Sequence, residues 1–452
     1  MKKIISLVLA LLMLLSCVPA LADTLPADGY DGSAVTITFR HIINKDNQLA
    51  VLNDAIAEFN KLYPNIKVEL INGGTYNDIL SSTKEELPAG NEPNIEFCYM
   101  DHIADYNNQK GAVQVLDELI DHPVVGLTEE QKADFIPGYY KEGASFGDGK
   151  MYALPFYKST EVLYYNKTFF DANGLTVPTT WDEMEQVCAA IKALEPNSIP
   201  LGYDSEGNWF ITMTEQLNSP YTSTEEPYYL FDNDTNKDFI RKFNGWYNKG
   251  YVTTAGLLGS YTSGLFTSTE EVHSYMSIGS SAGATYQRPK KNDDGTYPFE
   301  VGIVPIPQAD PANQKAISQG PSVCIFAYKK SAQEIMASWL LVKYLTTDAT
   351  FQSRFSIASG YMPAIKSVLE NEEYQSYLAK ADGGDNIGVL SVSVGMSITD
   401  AYFTSPVFPG SATARNQVTA LLKACLGMKP DELEAKIDSA FQDAIDECEY
   451  AN

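Results

Sequence analysis

Positive charge is scarce in this sequence. Lys and Arg total 32 against 58 Asp and Glu, a formal charge of −26. Such a chain repels polyanions, which excludes nucleic acid as a partner. Histidine is scarcer still: His41, His102, His122 and His273 are the only four, without metal-ligand spacing. Five of the six cysteines, Cys98, Cys188, Cys324, Cys425 and Cys448, stand far apart, and no C-x-x-C occurs. Structural zinc is therefore not expected. The thiols read as buried and free, with a disulfide as the alternative in an exported chain. No uninterrupted run of 18 apolar residues follows the leader, so no membrane span is expected there. G-x-S-x-G, H-E-x-x-H and G-x-x-x-x-G-K-[ST] are all missing, which leaves serine hydrolase, zincin and P-loop readings without support. Repeats and Ser/Pro-rich tethers are missing too.

The leader itself is distinctive. Lys2 and Lys3 precede the apolar run Ile4 to Leu15, which is shorter than the roughly 20 residues of a membrane span. Ala20-Leu21-Ala22 before Asp23 is a small-x-small cleavage pattern, so residues 1–22 read as a secretory signal peptide. Leu14-Leu15-Ser16-Cys17 offers the alternative of a lipobox with a lipid on Cys17. Either way the chain is expected outside the cytoplasm, on the extracellular face of the cytoplasmic membrane or in a periplasm.

Val35 to Phe39 alternates with period two, as a strand does. Leu49, Leu52, Ile56, Phe59 and Leu62 then recur at helical spacing up to Pro64, and Ile66, Val68 and Leu70 alternate again. Strand, helix and strand in succession predict a βαβ unit with parallel strands. Ile95–Tyr99, Val272–Ile278 and Phe299–Val304 read as further strands. Ile335–Leu345 and Asp431–Glu449 read as helices. Thr180 with Glu183 fits a capping box. Between these lies Ala153–Lys167, ALPFYKSTEVLYYNK, in which Lys158, Ser159 and Thr160 interrupt core-like sequence. Two α/β lobes joined by ordered strands need such a break, where the chain passes a wet cleft.

Several segments resemble the family 1 extracellular solute-binding proteins, the substrate-capturing components of bacterial ABC importers for carbohydrates. They are Asp54–Phe59 with Tyr63-Pro64 and Ile66-Lys67-Val68; Gly90 with Pro93-Asn94-Ile95; Tyr152–Phe156, Leu163–Lys167 and Pro178–Glu183; and Gly360-Tyr361-Met362-Pro363. Within the family the likeness is greatest to the glycerol-3-phosphate-binding branch. The resemblance implies an α/β, type II periplasmic-binding-protein-like fold, with two lobes joined by a multi-strand hinge and a ligand cleft between them. Residues 35–156 and 318–357 would form one lobe, and 157–317 and 358–452 the other. It further implies a monomer that binds a small carbohydrate, does no chemistry, needs no cofactor or metal, and docks on ABC permease subunits. Contact with a membrane would be only through the permease or a lipid on Cys17.

Matched position by position, the resemblance places Tyr76, Ser159, Thr160, Trp209, Ser280, Ser281, Gly320, Tyr361 and Arg415 at the ligand. Met100 stands where the branch has a carboxylate, and Asp101, one position along, is the candidate substitute. Trp209 reads equally as a stacking platform for a sugar ring or as a core residue. The hydroxyls of Ser159 and Thr160 suit a polyol, or serve local backbone. Ser280 and Ser281 suit an oxygen-rich ligand or a simple helix cap. A neutral mono- or oligosaccharide fits this donor-poor set better than a phosphate does, so glycerol-3-phosphate or a glycerophosphodiester is the second reading. A secreted glycoside hydrolase is the third. It needs two carboxylates flanking a bond, and Glu85-Glu86, Glu129-Glu130 and Glu225-Glu226 are adjacent pairs without such a context.

Overall fold

The computed structural model describes residues 24–108, 111–380 and 386–451. The leader, with the expectations placed on Ala22 and Cys17, lies outside them. The strands in chain order are β1 (Val35–His41), β2 (Ile66–Asn72), β3 (Ile95–Cys98), β4 (Leu154–Pro155), β5 (Tyr157–Lys158), β6 (Glu161–Asn166) and β7 (Leu201–Tyr203). They continue with β8 (Val252–Thr254), β9 (Met276–Ser280), β10 (Val301–Pro305), β11 (Ala316–Ile317), β12 (Ser322–Ile325), β13 (Met362–Pro363) and β14 (Tyr402–Phe403).

Helix Asp46–Leu62 turns Leu52, Ile56 and Phe59 inward and connects β1 to β2, which pair in parallel from Val35–Ile66 to His41–Asn72. This is the βαβ unit expected from the alternating periods. The first sheet has the order β2-β1-β3-β12-β4, with β12 antiparallel to both neighbours. The second has the order β10-β6-β9-β7-β8. Each sheet carries its own core. Phe39, Phe97, Phe156 and Trp339 belong to the first, and Trp181, Tyr203, Phe243 and Phe441 to the second. Fully burying side chains of this size stabilises each lobe by roughly 1.5–3 kcal/mol apiece.

Helix Trp181–Leu194 opens with the expected box: the Glu183 amide donates to the Thr180 hydroxyl and the Thr180 amide to the Glu183 carboxylate, both at 3.1 Å. The final helix, Pro430–Tyr450, buries Leu433, Ile437, Phe441 and Ala444 in the second core. Val272 and Phe299, read as strand residues, fall in the loops before β9 and β10.

The chain passes from the first sheet to the second at Ser159-Thr160 and returns at 318–321. The two passages run antiparallel. The Ser159 amide donates to the Gln319 carbonyl and the Gln319 amide to the Ser159 carbonyl, each at 2.9 Å. Residues beyond 357 were expected in the second lobe, yet Met362, Ile365, Val368 and Tyr374 pack in the first core. The reason is β13, whose Met362 and Pro363 pair with Lys158 and Tyr157 of β5. Helix Ser411–Gly427 packs in the second core through Ala414, Val418 and Leu422. No described helix is long and apolar enough to cross a membrane.

Candidate functional site

The polar break in Ala153–Lys167 is buried. Lys158 and Thr160 are fully inaccessible and Ser159 nearly so. A buried ammonium is costly unless paired and hydrogen-bonded. Lys158 Nζ donates to Glu142 at 2.6 Å, to Ser322 Oγ at 3.0 Å and to the Gly320 carbonyl at 3.1 Å. The Thr160 hydroxyl donates to the Ile317 carbonyl at 2.9 Å, and its amide to Ser281 Oγ at 3.2 Å. The expectation that the polar groups of this stretch face a ligand is therefore corrected for Lys158, Thr160 and Ser281. Their polar atoms fasten one passage to the other and to β9. Gly320 belongs to the same device. Its φ is +90°, and a Cβ there would stand 2.6 Å from the Tyr157 carbonyl.

Beside the passages lies a cavity of about 110 Å³ between the lobes. The first lobe contributes Tyr99 and Asp101, the second Tyr221 and Arg415, and Ile317–Gln319 line it from the passage. Arg415 sits in the second turn of helix Ser411–Gly427, whose N-cap Gly410 takes φ +99°. Its guanidinium donates to Asn208 Oδ1. Asn208 Nδ2 donates to Glu161 at 3.0 Å, and the Tyr203 hydroxyl donates to the same carboxylate at 2.6 Å. Burial pushes the Glu161 carboxyl up to about 7, against the pull of the Tyr203 and Asn208 hydrogen bonds and the Arg415 charge. Gly207 makes the arrangement possible. A Cβ there would collide with the Thr419 hydroxyl, so only glycine lets helix Glu206–Gln216 lie close enough for Asn208 to reach Arg415.

A second cavity, of about 580 Å³, also opens between the lobes. Ile42, Ile43 and Gln48 line it from the first lobe, Asp204 and Ser280 from the second, with Tyr157 and Tyr361. The Ser280 hydroxyl accepts from the Ala282 amide at 3.3 Å and caps the short 3₁₀ turn after β9. A tyrosine cluster connects the two cavities. Tyr76 and Tyr99 approach to 4.2 Å between ring centroids, Tyr157 and Tyr361 to 4.4 Å. Tyr99 reaches the first cavity, Tyr157 and Tyr361 the second. The Tyr76 hydroxyl is buried and has no hydrogen-bond partner of normal geometry among the described residues. Burial, with Tyr99, Tyr157 and Tyr361 beside it, holds its pKa well above the usual phenol value.

The structure thus places Asp101 and Arg415 at the first cavity, Ser280 and Tyr361 at the second, and Tyr76 in the cluster between. Ser159, Thr160, Ser281 and Gly320 are at the passages. Trp209 is elsewhere, and its reading as a stacking platform is corrected. It is fully buried in the second core, 4.7 Å from the Tyr203 ring and 4.2 Å from Phe243. The helix turns its neighbour Asn208 toward the cleft instead. Tyr99, Tyr221, Asn208 and Glu161 were not singled out from the sequence. Tyr99 and Glu161 adjoin segments that read as core, Asn208 stands beside Trp209, and Tyr221 lies in the polar stretch 218–227.

The family model for bacterial extracellular solute-binding proteins matches residues 54–381. The chain belongs to that family. Among curated relatives, the sn-glycerol-3-phosphate-binding periplasmic protein UgpB of Escherichia coli K12 is 25% identical over 384 residues, 81% of this chain and 82% of that protein. UgpB of Salmonella typhimurium is 30% identical over 177 residues, which spans 38% of this chain and only 39% of that relative. Among solved structures, UgpB from Mycobacterium tuberculosis in complex with glycerophosphocholine superposes with a TM-score of 0.70 at 18% identity, covering 92% of this chain and 99% of that one. The sugar-binding protein MalE from Xanthomonas citri gives 0.71 at 17% identity, covering 92% and 98%. These likenesses establish the type II periplasmic-binding-protein fold for this solute-binding protein. Family and fold are those of substrate-binding proteins of ABC transporters, not of enzymes.

Proposed function

We propose that this solute-binding protein captures a sugar outside the cytoplasm by closing its lobes on it, and presents it unaltered to an ABC permease. The observation that carries the reading is the cleft: two inter-lobe cavities joined by the cluster of Tyr76, Tyr99, Tyr157 and Tyr361. Aromatic faces with phenol tips match a sugar's apolar faces and its hydroxyls together. Asp101, Glu142 and Asp204 line the cavities against the cations Arg415 and Lys45, a charge balance that suits a neutral ligand better than an anion.

One observation favours a second reading, a glycerol phosphate or its diester. Arg415 and Ser411, in the opening turns of one helix, both line the first cavity, and a guanidinium beside a helix N-terminus attracts phosphate. Thermal unfolding with a panel of sugars, glycerol-3-phosphate and glycerophosphocholine decides. A ligand at 100 times its Kd stabilises by about 2.7 kcal/mol. Arg415→Ala then separates the readings, because it abolishes phosphate binding and only weakens sugar binding. No shift with any member of a broad panel removes both.

A further inference from the structure

The second cavity has features that a one-unit ligand held in the first would leave unused. Tyr261 and Tyr286 stand at it, 74% and 62% exposed, among the few large hydrophobic side chains of the described residues left in water. Isolated exposed aromatics are ordinary; two at the mouth of one inter-lobe cavity form a surface. Burial raises the Tyr361 pKa, and Tyr261 and Tyr286 lie near enough to add to that rise. From the opposite lobe Lys45 sets its ammonium 5.1 Å from the centre of the Tyr286 ring, a cation–π contact that orients the ring across the opening.

Gln287 adds an unmet polar group. It is 2% exposed, it lines the cavity, and its Oε1 has no hydrogen-bond partner among the described residues. Beside it is Asp204, whose Oδ1 is occupied by the Thr262 amide and hydroxyl, both at 2.7 Å. The first cavity has its own unmet group, the buried hydroxyl of Tyr221. Buried polar atoms without partners are destabilising, and these two stand at the two separate cavities of the cleft. Among the described residues none lines both cavities.

We infer that the second cavity is a subsite for a further sugar unit, so that the ligand is an oligosaccharide of at least two units lying along both cavities. One unit sits by Tyr221 and Arg415. The chain passes the tyrosine cluster, and the next unit lays a ring face on Tyr261 and Tyr286 while a hydroxyl donates to Gln287 Oε1. This inference rests on the sugar-binding reading above.

Native mass spectrometry tests it, because ligand length is read directly as mass. The protein is incubated with size-fractionated hydrolysates of starch, xylan and mannan, and separately with glycerophosphocholine. The expected result is retention of species with two or more sugar units. Their retention weakens by about tenfold in the double variant Tyr261→Ala/Tyr286→Ala. Both side chains are exposed, so the variant's thermal midpoint should match the parent's. Retention of single sugar units or glycerophosphocholine alone overturns the inference and leaves the binding-protein reading standing. So does a double variant that holds the same oligosaccharides as tightly. Retention of nothing at all removes the binding-protein reading and this inference with it.

Discussion

Gly320 holds its place through geometry rather than chemistry. An alanine there would meet both a left-handed backbone and the Tyr157 carbonyl. Gly320→Ala should destabilise by about 1–3 kcal/mol in urea unfolding. Glu161 makes a prediction of a different kind. Its folded-state pKa is raised from the ordinary 4.5 to about 7. Its contribution to stability is therefore fully present below pH 4.5 and is lost as pH rises through 7. Relative to Glu161→Gln, the parent protein should lose stability across that window and keep a constant difference above it, measured by denaturant midpoints. At this scale the sequence was least legible. Helix Glu206–Gln216 is buried at nearly every position, so no amphipathic stripe distinguishes Asn208, turned to Arg415, from Trp209, turned to the core. Tyr99 and Tyr157 stand in apolar runs, where an aromatic that lines a cleft and one that fills a core look alike.

Among elements, the passages depend on the buried Lys158 ammonium and its ion pair with Glu142, which lies at the edge of the first cavity. Lys158→Met strands the Glu142 carboxylate against the hinge and should cost about 3–5 kcal/mol, while adding Glu142→Leu should restore much of the loss. Chemical denaturation of the two variants checks this, and equal stabilities would contradict it. Elements with a sustained period were readable beforehand: β1, β2, helix Asp46–Leu62 and helix Pro430–Tyr450 all follow their alternation or their i, i+4 stripe. The very short strands were not. β4, β5 and β13 have two residues each, too few for any period. Nothing local in Ser322–Ile325 says that it pairs with Ile95–Cys98, more than two hundred positions earlier. The same blindness misplaced 358–374, whose lobe is set by the pairing of β13 with β5.

For the whole molecule, the division into two cores with a cleft between was foreshadowed by absences as much as by motifs: two α/β patterns and no tether. If the lobes close on solute, the radius of gyration from solution scattering should fall when a binding sugar is added, and an unchanged profile would contradict closure. The position of β12 reaches further. The strand that lies between β3 and β4 is synthesised only after every strand of the second sheet. A chain cut at residue 317 would have a first sheet split down the middle, with Phe97 and Leu154 lacking the strand between them. Such a fragment should show no cooperative melting. The older half of the polypeptide must wait, unfinished, for a piece delivered from the other side of its younger neighbour.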